Sequence, residues 1–89
     1  MKVYIVLLED TTDVEGTSSE ILSVHRKREK AEKVLADKKK EALQMYKEKI
    51  PNPDNNVKIA EDVPGYFHIY DEYSNNNMEI SITEKDLED

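Results

Sequence analysis

Cysteine is absent from this 89-residue chain. Its absence removes disulfides, thiol nucleophiles and thiolate zinc sites together, and it fits a reducing, cytoplasmic setting. Glycine occurs only twice, so neither a phosphate-binding loop nor a dinucleotide fingerprint is present. The two histidines, His25 and His68, lie far apart, with no His-x-His or His-Glu-x-x-His text. A zinc site needs three or four converging ligands. A calcium loop framed on Gly16 would begin at Thr11 and end at Leu22, and neither is a suitable end ligand. None of the serines sits in a glycine-framed nucleophile elbow. We therefore expect no enzyme, no metal and no cofactor. The one apolar run near the start, Val3 to Leu8, is followed at once by Glu9-Asp10. It reads as a first strand, not as a signal peptide, and no stretch approaches the length of a membrane span.

Basic residues are scarce outside one segment. Between Arg26 and Ile50 lie ten Lys/Arg and five Asp/Glu, whereas the remainder holds three Lys and fifteen Asp/Glu, for a net charge of −7. A core does not require such sorting, which creates a strong local field. Negative charge over most of the chain argues against nucleic acid or anionic lipid as a direct partner. Hydrophobic and charged residues each make up 37%. That gives a thin core, and small chains of this kind often gain stability by self-association.

Val3 to Leu8 is apolar on both alternating faces, the pattern of a central strand. Residues 9–19 are acidic, hydroxylated and interrupted by Gly16, and read as a loop. Glu20 to His25 reads as a second strand. From about Arg26 to Lys49 the period becomes helical, with Ala31, Val34, Leu35, Ala42, Met45 and Tyr46 on one stripe. Lys38 falls near the middle of that stripe, so either its stem snorkels or the helix overhangs the sheet. Pro51 and Pro53 end the helix. Val57 to Ala60 reads as a brief strand, Tyr66 to Tyr73 as a longer one, Ser74 to Asn77 as a hairpin loop and Met78 to Thr83 as a half-buried strand. Residues 84–89 read as a frayed acidic tail. The expectation is a single α+β domain over 1–89, a mostly antiparallel sheet of about four strands with one long helix on one face, in the order β-β-α-(β)-β-β. One helix covers only one sheet face. If Val3, Ile5 and Leu7 point inward, then Tyr4, Val6 and Leu8 join Tyr66, His68 and Tyr70 on an open aromatic face.

Met1-Lys2-Val3-Tyr4 and Arg28-Glu29-Lys30-Ala31-Glu32-Lys33 resemble the opening strand and helix start of a loose group of small proteins common in Gram-positive bacteria and their phages. That resemblance supports the fold and carries no chemistry. The group usually has a Ser or Thr helix cap here, where this chain has His25-Arg26-Lys27. In size, acidity and lack of cysteine the chain also resembles early host-takeover proteins of large bacteriophages, which implies action in a host cytoplasm by binding and blocking one host protein, in some cases as a DNA mimic.

The residues expected to bind a partner are Glu9, Asp10, Asp13, Glu15, Glu61, Asp62, Tyr70, Asp71, Glu72 and Tyr73. DNA carries one charge per roughly 1.7 Å of axis, and same-face residues on a strand are about 6.6 Å apart. Carboxylates from several adjacent elements would have to combine to approach that density, and an acidic surface also serves solubility. Tyrosine beside carboxylate suits a partner surface of Arg and Lys. The first expectation is thus an acidic inhibitor that occupies the DNA-binding surface of a basic host protein, such as a nucleoid or transcription protein. The second is an adaptor or regulatory subunit that binds a chaperone, protease or other machine through its sheet face. The basic helix docking on the acidic part of a second copy would give a homodimer.

Overall fold

The computed structural model describes residues 1–12, 16–49, 57–71 and 76–87. The elements are β1 (Lys2–Thr12), β2 (Gly16–His25), α1 (Arg28–Lys49), β3 (Val57–Val63), β4 (Tyr66–Asp71) and β5 (Asn77–Asp86). The strands form one five-stranded sheet in the order β2-β1-β5-β4-β3, antiparallel at every pairing. The expected α+β class holds, with the brief third strand a full member of the sheet.

Several boundaries differ from the sequence reading: β3 runs on past Ala60 to Val63, α1 begins at Arg28 and β5 takes in Asn77. Much of the stretch read as a loop over 9–19 is paired: Glu9 lies opposite Ser19, Asp10 opposite Ser18 and Thr11 opposite Thr17. Cross-strand hydroxyl contact supports this polar ladder, with Thr11 Oγ1 2.9 Å from Thr17 Oγ1. Gly16, at φ 75°, supplies a backbone conformation that other residues rarely adopt as β2 begins. At the other end, β5 continues through Glu84, Lys85 and Asp86, which lie opposite Tyr4, Val3 and Lys2. The Leu87 N–H also donates to the Met1 carbonyl at 2.7 Å. Residues 13–15, 50–56, 72–75 and 88–89 lie outside the described residues. With them go Pro51, Pro53 and the first half of the expected Ser74–Asn77 loop, whereas Asn77 belongs to β5.

Helix α1 lies over one face of the sheet. Its stripe buries Ala31, Leu35, Ala42 and Tyr46 against Val6, Leu8, Phe67, Ile69, Met78 and Ile80, with Val34 and Met45 packed at the margin. The two alanines, 0% and 1% exposed, let the helix approach the sheet closely. Lys38 snorkels: its stem stays half-buried while Nζ reaches Glu41 at 3.2 Å. At the start of α1 the Ala31 N–H donates to the Lys27 carbonyl at 3.4 Å. Lys27 therefore occupies the cap position with a side chain that offers no acceptor, and its charge opposes the helix dipole.

The core corrects the facing of β1. Val6 and Leu8 are buried under the helix, with Tyr4 packed against the same cluster, so Ile5 and Leu7 point to the open side. The reverse arrangement, with Val3, Ile5 and Leu7 inward, is overturned by this burial. Val3 is itself buried, but outside that cluster. A strand apolar on both faces gives alternation nothing to choose by, and packing against α1 makes the choice.

Tyr46 gives this core a pH signature. Burial first, then the carboxylates of Asp10 and Asp71, push its phenol up to about 12. The unfolded chain would lose this proton near pH 10. The Tyr46 contribution to stability is therefore constant below pH 10 and declines as pH rises toward 12, because the unfolded state then binds fewer protons. Urea denaturation of wild type and Tyr46→Phe at pH 8 and pH 11.5 should show wild type losing roughly 1–3 kcal/mol more than the variant over that interval.

Candidate interaction surface on the open sheet face

Register places the remaining side chains. In β4, Phe67 and Ile69 face the helix, so Tyr66, His68 and Tyr70 project from the other side as expected. Their rings form a ladder: Tyr66 meets His68 edge-on with centroids 6.5 Å apart, and His68 meets Tyr70 at 5.7 Å. In β5, Met78, Ile80 and Ile82 pack inward, which turns Glu79, Ser81 and Thr83 outward. In β2 the pairing slips after Ser23, which lies opposite Val6, while Ile21 lies opposite Leu7. This bulge sends Leu22 toward the core and brings Ile21 and Val24, which strict alternation would separate, onto the open face together. They are 62% and 54% exposed. A second slip between Ile59 and Glu61 in β3 turns Glu61 to the side of His68.

Two rows therefore cross the open face side by side. Ile21, Leu7, Ser81, Tyr66 and Val63 form a mainly apolar row, and Ser19, Glu9, Glu79, His68 and Glu61 form a mainly acidic one. Glu9 directly opposes Glu79, an unfavourable like-charge pair. His68 Nδ1 lies beside this pair, 3.8 Å from Glu79 Oε1. The Tyr66 phenol is pushed up, first by burial and then by its hydrogen bond to Glu79, with Glu61 and Glu9 adding to the effect. Among the described residues no cation forms an ion pair with Glu9 or Glu61.

The expected partner-binding residues divide. Glu9, Glu61 and Tyr70 stand on the open face. Asp10, opposite Met78, and Asp71, opposite Val57, point to the helix side near Tyr46. Asp62 is also on that side, where its carboxylate pairs with Lys39. Asp13, Glu15, Glu72 and Tyr73 lie outside the described residues. Among the described residues these carboxylates are thus divided between the two faces, and Lys39 of the basic helix pairs with Asp62. Glu79 and His68 complete the acidic row although neither was among the expected residues. The alternation of Met78, Ile80 and Ile82 marks Glu79 as outward, and the strand pairing alone puts it beside Glu9.

Elsewhere, an open groove of about 350 Å³ runs between α1 and the β3–β4 turn, lined by Leu35, Ala36, Lys39, Val63 and Pro64 among others. No group of His, Asp or Glu among the described residues is arranged to hold a metal ion. No helix among them is long and apolar enough to cross a membrane. Comparison with protein-family models, curated proteins and solved structures finds no match to this chain.

Proposed function

We propose that this chain is a non-catalytic protein-binding module that engages a basic partner through the open face of its sheet. The adjacency of the Ile21–Leu7–Tyr66–Val63 row and the Glu9–Glu79–Glu61 carboxylates supports this reading. Such a surface suits a partner that presents apolar groups together with Lys or Arg. Where that partner binds DNA through the same surface, the chain acts as an inhibitor in a host cytoplasm. Where it does not, the chain acts as an adaptor. The net charge of −7 supports a basic partner in either case and repels nucleic acid and anionic lipid. The sheet-face mode is favoured over mimicry by a continuous acidic patch, because Asp10, Asp62 and Asp71 point away from Glu9 and Glu61.

Immobilised wild type, Leu7→Asp and the triple variant Asp10→Asn/Asp62→Asn/Asp71→Asn, each exposed to cell lysate at 50 and 300 mM salt, test this reading. The open-face substitution should abolish retention of basic proteins and the triple neutralisation should leave it intact, with weaker retention at the higher salt. Added duplex DNA should release the partner only if its DNA-binding surface is the one engaged. Loss of retention in the triple variant alone would transfer the function to the helix side and overturn the proposal.

A further inference from the structure

The open face of an antiparallel sheet normally carries polar residues where it meets water. On β1 and β2 this one carries Ile5, Leu7, Ile21 and Val24, two of them more than half exposed. The order of side chains along the strands decides what fits there. Moving along β5, the open face shows Glu79, Ser81, Thr83 and Lys85; beside them on β1 stand Glu9, Leu7, Ile5 and Val3. On β2, Ile21 lies beside Leu7 and Val24 beside Ile5.

We infer that a second copy of this chain covers this aliphatic half, its sheet stacked face to face about a two-fold axis that crosses the strands between the Leu7–Ser81 and Ile5–Thr83 rows. The inference rests on the reading of the open face as the contact surface. That axis lays each strand over its own copy in the opposite direction. Leu7 then meets Ile5, Ile21 meets Val24, Ser81 meets Thr83, and Glu79 meets Lys85, each contact occurring twice as two-fold symmetry requires. The Lys85 ammonium of the second copy falls near both Glu79 and Glu9. It supplies a cation to the like-charge pair that each copy holds across β1 and β5. The alternative axis, parallel to the strands through β5, would set Glu79 against Glu79 and is rejected on charge. The small Ser81 and Thr83 between Leu7 and Tyr66 leave a trough for the opposing aliphatic side chains, and sheets packed this way lie about 10 Å apart with strands near −30°.

The contact is modest. About ten side chains per copy face counterparts, which with strand and residue spacings of about 4.8 and 6.6 Å corresponds to roughly 300–400 Å² of sheet in projection. Side-chain relief brings the total close to the ~1,000 Å² at which specific interfaces begin. An interface of this size lies at the low end for specific association, so the dimer exchanges readily and yields the face to a better partner.

Sedimentation equilibrium of the full chain from about 10 µM to 1 mM tests the inference, with circular dichroism to confirm that each variant is folded. Wild type should dimerise within that range. Leu7→Asp should weaken association by more than about 100-fold, because it places a charge at both symmetry-related contacts. Lys85→Glu should weaken it about 10-fold, and Lys85→Glu combined with Glu79→Lys should restore it. Ile59→Asp, on the helix side of β3, should change nothing. A wild type that stays monomeric at 1 mM, a dimer that Leu7→Asp leaves intact, or a charge exchange that fails to restore association would overturn it. If wild type is monomeric yet Leu7→Asp still loses basic partners from lysate, the second copy is excluded and the protein-binding reading stands. If Leu7→Asp alters neither behaviour, both fail.

Discussion

Replacing Phe67 with alanine is expected to lower the stability of this protein by about 3–5 kcal/mol, a large part of what an 89-residue domain possesses. Phe67 has no exposed surface. It lies opposite Ile80 on β5 and opposite Asp62 on β3, so its ring sits where the two parts of the sheet meet beneath the helix. Lys39 Nζ lies 5.5 Å from the ring centre while also pairing with Asp62. Truncation therefore opens a cavity and removes the surface over which an ion pair between α1 and β3 is laid. Phe67→Leu keeps much of the volume but loses the aromatic face, and should cost less, about 1–2 kcal/mol. Urea denaturation followed by circular dichroism measures both. With a slope of about 1–3 kcal/mol/M, the alanine midpoint should fall by roughly 2 M. A shift below 0.5 M would show that Phe67 is not at the centre of the core.

A single pair of neighbours on β1 should give opposite outcomes. Val6→Asp is expected to abolish folding: Val6 is fully buried in the cluster beneath α1, and an unpaired carboxylate there costs well over 4 kcal/mol. Ile5→Asp, one residue away, places its carboxylate on the open face between Val24 and Thr83. It should leave the domain folded, with a loss of about 1 kcal/mol from reduced strand propensity. The far-ultraviolet spectrum and urea midpoint of the two variants decide the matter. If Ile5→Asp unfolds and Val6→Asp survives, the facing of β1 is inverted and the open surface must be redrawn with Tyr4, Val6 and Leu8 on it.

Much of the architecture was legible because single segments carried one period each. The stripe Ala31, Leu35, Ala42, Tyr46 has one reading as a helix, and it is the stripe that packs. The alternation of Phe67 and Ile69 with Tyr66, His68 and Tyr70, and of Met78 and Ile80 with Glu79 and Ser81, assigned the faces of β4 and β5 correctly, because only one set in each strand is apolar enough to bury without cost. The full reach of the β1–β2 pairing is not legible in the residues that form it. Residues such as Asp10, Thr17 and Ser18 are loop formers by composition, yet an antiparallel neighbour satisfies their backbone groups whatever the side chain.

The α+β class, the helix and its buried stripe, the outward faces of β4 and β5, and the sorting of charge between the helix and the rest are all written in the order of residues along the chain. The buried face of β1, the bulge at Leu22 that unites Ile21 with Val24, and the pairing of carboxylates arise only in the folded sheet. The division has one physical cause. Periodicity is a property of a segment and survives in the linear text, whereas register is a relation between strands distant along the chain. Glu9 and Glu79 become neighbours only when β1 and β5 pair.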